Sequence, residues 1–302
     1  MFKKFIISVS LVLFVSLAYG ESTIKLIVPF SPGGAADITA RLIQDSLNQK
    51  LQKKVVIEYH AGAGGLIGAR LVESADPRET VLLINNLPVL TNDIDRDPKL
   101  IPLVDVGKIP AVLVASPASG IKNINQLLAI NKSVLISGGT SGVKTFSDLE
   151  LTNFKQATKK NIINIPYKGQ NLILPDLISG NLTISFMFYP VAVTYIESGK
   201  LIPLAADSEH RLSKLPNVPT LKENNIKGLE KHSWFVLFSN QTNNKDEIKE
   251  IQQIMKQVLS NKSQSAPYTD TGLVIYPKSI IPASDFITTE RTTIKSLITV
   301  DH

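Results

Sequence analysis

Short apolar runs alternate along this chain with stretches whose apolar positions recur every three or four residues, the signature of strands interleaved with amphipathic helices. Ile24 to Phe30 (IKLIVPF) reads as a buried strand. Ser31-Pro32-Gly33-Gly34 breaks it, and from Ala35 a helix sets Ala36, Ala40, Ile43 and Leu47 on one face. A strand over Lys54 to Tyr59, a glycine turn at Gly62-Ala63-Gly64-Gly65, a short helix to about Ser74 and a strand over Val81 to Ile84 continue the alternation.

A second unit repeats the theme. Ala111 to Ala115 is a strand, Ile124 to Ile130 a helix, and Val134 to Ser137 a strand that runs into Gly138-Gly139-Thr140-Ser141-Gly142 and a helix from about Val143 to Ala157. Strands over Ile162 to Tyr167, Leu182 to Phe188 and Leu201 to Ala206 alternate with helices over Asn171 to Ile178 and Val191 to Ser198. Ser213 to Lys231, with Pro216, Pro219 and Gly228, reads as a connection. Trp234 to Phe238 then predicts a strand, Lys245 to Leu259 a helix, Val274 to Tyr276 a short strand and Ala283 to Leu297 a terminal helix.

This is the order of an α/β fold, and its 302 residues with duplicated strand, glycine loop and helix units suit two lobes. The expected division is residues 21–116 with 234–302 as the first lobe and 117–233 as the second. Two chain crossovers of this kind make a hinged pair of lobes. The pattern does not encode which strands share a sheet, so a single-lobe arrangement stays open at this point.

Composition narrows the chemistry. With no cysteine there is no disulfide framework, cysteine–zinc cluster, iron–sulfur centre or thiol nucleophile. His60, His210, His232 and His302 show no HxxxH or HExxH spacing, so no metal and no cofactor is expected. Lys3 and Lys4, the apolar run Phe5 to Leu17 and the small residues of Ala18-Tyr19-Gly20 predict a signal peptide over residues 1–20, cleaved near Gly20, and hence a periplasmic, exported protein. Losing Lys3 and Lys4 with that leader lowers the formal charge from +6 to +4. The remaining lysines are scattered, which speaks for a solvated surface and against nucleic acid.

Two junctions carry candidate chemistry: Phe30 to Asp37 and Ser137 to Thr145. Each is a strand end, a glycine-bearing loop and a helix start, where first-turn amides and the helix dipole favour an anion. Ser31, Thr140, Ser141 and Thr145 add hydroxyl donors. Glycines and serines also end strands and cap helices without any ligand, so the pairing of two such junctions matters more than either one. Pro166-Tyr167-Lys168-Gly169 is a third candidate, with Lys168 either meeting an anion or lying in solvent. Asp37 would repel an anion and is read as organising loop amides. The Gly62 to Gly68 segment does not complete a dinucleotide fingerprint, and no GxSxG or GxxxxGK[ST] motif occurs.

The strings IKLIVPFSPGGAADITARLI, VVIEYHAGAGGLIGA, GTSGVKTFSDL, IPYKGQNLILPDLISG, YIESGKLIPLAA with LPNVPTL, and SWFVLF, in this order, resemble the extracytoplasmic solute-binding proteins of tripartite tricarboxylate transporters, the Bug family. The resemblance implies a two-lobed periplasmic binding protein of the Venus-flytrap, type II-like kind. Such a protein has no catalytic role: it captures a small carboxylated solute and presents it to membrane permease subunits, and a monomer is expected. It further implies ligand contacts at Phe30, Ser31, Gly33, Gly34 and Ala35, at Gly139, Thr140, Ser141, Val143 and Thr145, and at Tyr167, Lys168 and Gly169. Asn85, with Asn86, is a candidate cleft amide in a span, Val81 to Asp105, that is shorter than the family's usual one. Ala36 stands where the family often has a hydroxyl, and Met187, also taken as a cleft position, where it commonly has an acid, which points to a plain or more apolar acid rather than an amino acid. A ligand-sensing accessory of a receptor kinase and a secreted α/β enzyme are the other two readings; the enzyme would need a nucleophile–base pair, and none is visible.

Overall fold

The structure, a computed structural model, describes residues 23–51, 53–86, 99–229, 233–240, 243–275 and 292. The expected signal peptide and the terminal helix over Ala283 to Leu297 lie outside the described residues, apart from Thr292. Two five-stranded sheets organise the chain. With strands numbered in chain order, the first sheet holds β1 (Ile24–Val28), β2 (Val55–Tyr59), β3 (Thr80–Asn86), β4 (Leu100–Lys108) and β10 (Trp234–Asn240) in the order β2-β1-β3-β10-β4. The second holds β5 (Ala111–Ala115), β6 (Ile136–Thr140), β7 (Ile162–Pro166), β8 (Ile184–Phe188) and β9 (Ile202–Asp207) in the order β7-β6-β8-β5-β9. In each sheet four strands run in one direction and one crossing strand runs antiparallel to them, β10 in the first and β5 in the second.

Helix α1 (Ala35–Asn48) packs the face expected for it: Ala36, Ala40, Ile43 and Leu47 are all buried. The other helices are α2 (Leu66–Glu73), α3 (Ile124–Ala129), α4 (Phe146–Thr158), α5 (Leu174–Ser179), α6 (Tyr189–Glu197), α7 (Lys245–Ser260) and α8 (Lys262–Asp270). Asn244 caps α7 by accepting from the amides of Asp246 and Glu247, and Asn261 caps α8 in the same way.

The structure corrects the expected path in four places. Ala111–Ala115, assigned from sequence to the first lobe, pairs with β8 and β9 in the second sheet, so the first crossover falls at Ile109–Pro110 and not at Ser116–Pro117. Strand β4 was not expected, because Pro102 and Gly107 interrupt its apolar run. An edge strand tolerates both, and its pairing with β10 shifts register at two points. Helix α8 was also missed, since Pro267 lies inside it. Gly138 and Gly139 belong to β6 itself, where a Cβ on Gly138 would sit 2.7 Å from Leu151 and one on Gly139 2.7 Å from Ile173.

The crossovers are tied together: the amide of Ile109 donates to the carbonyl of Ser233 at 3.2 Å, and Lys108 exchanges two backbone bonds with Val274. Phe188, at the end of β8, stacks on Phe146 of α4 at 5.3 Å between centroids and meets Phe235 of β10 edge-on at 5.1 Å, so an aromatic contact joins the two sheets. Among the described residues no helix is long and apolar enough to cross a membrane.

Candidate functional site

Because β1 and β6 are both interior parallel strands, their carboxyl ends open on the edge where α/β folds gather ligands, and each is followed by a loop and a helix. In the first lobe, Gly34 is the N-cap of α1 and its side supplies no cap bond. Asp37, buried in the first turn, reaches back instead: its Oδ2 accepts the amide of Gly33 at 2.8 Å. Its Oδ1 accepts the hydroxyl of Tyr59 at 2.8 Å and meets Arg41 Nε at 3.1 Å. The expected role of Asp37 as organiser of loop amides is what this geometry describes. The Arg41 charge balances the carboxylate, so the helix end keeps its positive character for an anion.

The second lobe repeats the device. Thr145 is the N-cap of α4, and Asp148 Oδ2 accepts the amide of Lys144 at 2.6 Å while Oδ1 accepts from Asn164 Nδ2 at 2.5 Å. Thr140 Oγ1 donates to Asn164 Oδ1 at 2.8 Å, tying the end of β6 to β7. Ser141, Thr145 and Ser147 form a buried hydroxyl cluster: Ser141 donates its amide to Ser147 Oγ at 2.9 Å, and Thr145 Oγ1 donates to the Gly142 carbonyl at 2.7 Å. Asp148, Asn164 and Ser147 were not singled out from sequence. The signal for Asp148 was the Asp37 position itself, since both are the third residue of a helix that follows a glycine loop.

The loops of the two lobes meet. Ser31 donates its amide and its hydroxyl to the carbonyl of Lys168, both at 3.1 Å, and its hydroxyl lies 2.9 Å from Asn171 Oδ1. Gly169 permits this approach: at φ +154° it has no Cβ, and one placed there would overlap Ser31 Oγ. A Cβ on Gly142 would stand 3.5 Å from Gly64 Cα, so the second-lobe loop also rests against the glycine turn of the first. Tyr167 gives its amide to the Thr140 carbonyl at 2.8 Å and its hydroxyl to Asp176 Oδ2 at 2.5 Å. Partial burial, then the Asp176 carboxylate, push its phenol up to about 12.

The candidate residues divide accordingly. Phe30, Ser31, Gly33, Gly34 and Ala35 form the first loop, with Ala35 opening α1, and Thr140, Ser141 and Thr145 lie in the second with Val143 exposed on its outer side. Lys168 enters through its carbonyl while its side chain is exposed, which takes the solvent alternative. Gly139 is enclosed in β6 between β7 and β8, with Ile173 and Leu182 against its Cα, so its missing side chain serves packing. Met187 is wholly buried opposite Val112 and belongs to the apolar core rather than to the loops' hydrogen bonds. Asn85 is wholly buried at the end of β3. A cavity of about 520 Å³ lies at the crossovers, bordered by Lys108, Tyr189, Asp207, His210 and Ser233, and touches none of the loop residues. The facing loops lie apart from this cavity. Among the described residues no group of three or more His, Asp or Glu side chains could hold a metal ion.

Two α/β lobes joined by two crossovers, with helix-start loops facing each other, are the architecture of a periplasmic binding protein. The chain belongs to the tripartite tricarboxylate transporter family receptors, whose profile matches residues 39–300. It is similar to BugT of Bordetella pertussis, at 31% identity over 234 residues that cover 73% of this chain and 71% of BugT. Among solved structures it resembles the periplasmic binding protein BugD (24% identity, TM-score 0.83, covering 93% of this chain and 97% of BugD). A Rhodopseudomonas palustris protein solved with adipate (22%, TM-score 0.84, 93% and 97%) and MatC of Rhodopseudomonas palustris with bound malate (21%, TM-score 0.83, 91% and 98%) share the fold.

Proposed function

We propose that this protein is exported, captures a small carboxylate solute between the Phe30–Ala35 loop and the Thr140–Thr145 loop, and delivers it as a monomer to the membrane permease of a tripartite transporter. The observation that carries this reading is the duplicated loop: in each lobe a third-position aspartate holds the amide that precedes the N-cap, leaving first-turn amides and hydroxyls for an anion. Adipate and malate, bound by two proteins of the same fold, are small acids of the proposed class. Affinity arises from closure, because contacts such as Ser31 with Lys168 form only when the lobes meet. The carboxylates of both loops, Asp37 and Asp148, are engaged within their own lobes and not offered to an ammonium group, so a plain carboxylate is a better ligand than an amino acid.

A thermal-shift screen of mono-, di- and tricarboxylates, aromatic acids and amino acids tests the proposal, since a ligand that binds only the folded form raises the melting temperature by mass action. A carboxylate is expected to shift it, and its amino-acid analogue to shift it less. A screen in which only amino acids, or no acid at all, stabilise the protein would count against it.

A further inference from the structure

We infer that Asn85 is a specificity-determining residue whose side-chain amide donates to a second oxygen acceptor of the bound solute, so that the cleft selects acids with a further carboxylate or carbonyl group. The inference rests on the carboxylate-binding reading above and adds to it which second group the solute carries.

Asn85 lies one residue before the end of β3, which runs parallel to β1 and so ends on the same sheet edge as the Phe30 loop. Its side chain is wholly buried. The Asn86 amide donates to Asn85 Oδ1 at 2.7 Å, which holds the side chain in place and identifies the other terminal atom as nitrogen. Among the described residues that Nδ2 has no hydrogen-bond partner. Buried amide donors are nearly always satisfied, and leaving one without an acceptor is costly.

The donor lies at the seam between the lobes. A Cβ on Gly65 would come within 2.7 Å of Asn85 Nδ2, and the same point is 3.6 Å from the tip of the Phe30 ring. Gly65, at φ +94°, therefore leaves the donor its space, and its neighbour Gly64 is the residue against which Gly142 of the second lobe rests. Closure without a solute buries this donor unpaired, whereas a solute oxygen pairs it. An NH2 group offers protons only, so it accepts a carboxylate or carbonyl oxygen and finds no bond with an ammonium or a methyl group. A site built around such a donor rejects analogues that lack the matching acceptor.

Calorimetry on the wild type, Asn85→Ala and Asn85→Asp tests this with succinate, glutarate, adipate and suberate, each beside the monocarboxylate and the ω-amino acid of equal chain length. The wild type should prefer a diacid. Asn85→Ala should weaken that diacid roughly ten- to hundredfold and leave the monocarboxylate unchanged, and Asn85→Asp should move the preference toward the ω-amino acid. Circular dichroism checks folding, and Asn85→Ser repeats the comparison if the alanine variant does not fold. Equal weakening of diacid and monocarboxylate, or no weakening of either, would overturn the role of Asn85 while leaving the carboxylate site standing. Failure of the wild type to bind any of the acids would overturn the carboxylate reading and this one with it.

Discussion

Asp148 accepts the amide of Lys144, four residues before it, at 2.6 Å, and in doing so repeats the bond from Gly33 to Asp37 in the other lobe. Each carboxylate also reaches the next parallel strand of its own sheet, Asp37 through Tyr59 of β2 and Asp148 through Asn164 of β7. Two loops with unrelated residues, SPGGAAD and GVKTFSD, thus share one scheme: strand end, loop, helix, and a carboxylate that fixes the loop from inside the first turn.

That scheme predicts a graded response to its removal. Asp148→Ala should cost about 1–2 kcal/mol, the scale of a lost cap bond to a partly buried carboxylate. Asp37→Ala should cost more, since Asp37 is buried and its loss also leaves the Tyr59 hydroxyl proton without its acceptor. Both variants should bind carboxylates more weakly than their stability loss alone explains. Urea melts and calorimetry on the same acid measure the two effects separately.

For the proposed closing of the lobes, Ser31 is the contact to test. Ser31→Ala deletes the hydroxyl bonds to Lys168 and Asn171 but keeps the amide bond to Lys168, so the closed form should lose about 1 kcal/mol, roughly a fivefold change in the closed-to-open ratio. Gly169→Ala should open the lobes further, because its methyl group falls on Ser31 Oγ. Fluorescence transfer between dyes placed one on each lobe reads the ratio, and an unchanged distance distribution in both variants would contradict the role given to this contact.

Much of this architecture was legible in the sequence because strand, loop and helix each leave a local mark. The buried face of α1 followed from its spacing, and the PGG junction from its glycines. Sheet membership leaves no such mark: Ala111–Ala115 is apolar throughout, which suits a central strand of either sheet, so its place beside β8 and β9 could only come from pairing. Strand β4 was hidden by Pro102 and Gly107, whose tolerance depends on its position at the sheet edge. In the site, Ser31 and Thr145 were visible by residue type, but Lys168 acts through its carbonyl and Asp148 through an amide four residues back, and backbone partners are not written in side-chain identity.

Gly139 separates packing from ligand contact. Placed in the binding loop by resemblance, it lies within β6, where a methyl group would come within 2.7 Å of Ile173 and 2.8 Å of Leu182. Gly139→Ala should therefore destabilise the protein by about 1–3 kcal/mol through overpacking. The folded fraction should bind its acid with unchanged affinity. Calorimetry well below the melting temperature distinguishes the two roles, and a large affinity loss there would return Gly139 to the binding loop.

The bond between Tyr167 and Asp176 makes the second-lobe loop sensitive to alkali. Partial burial and then the neighbouring carboxylate raise the phenol to about 12, while the Tyr167 and Asn181 bonds lower the Asp176 carboxyl. Below the ordinary phenol value of about 10, folded and unfolded chains both keep the Tyr167 proton, and the contribution of the pair is complete. As pH rises from about 10 the unfolded chain ionises while the folded one holds its proton, so this stability declines until pH passes about 12 and stays lost above it. For Asp176 the sign is reversed: its contribution is present above the ordinary carboxylate value and fades as pH falls. Tyr167→Phe should therefore flatten the loss of stability between about pH 10 and 12, read by urea melts, and remove one late phenolate from the ultraviolet titration. Because the Tyr167 amide is bonded to Thr140 and the next residue offers its carbonyl to Ser31, ionisation of this one phenol should also weaken closure. An alkaline profile identical in the wild type and Tyr167→Phe would show that the phenol does not anchor the loop.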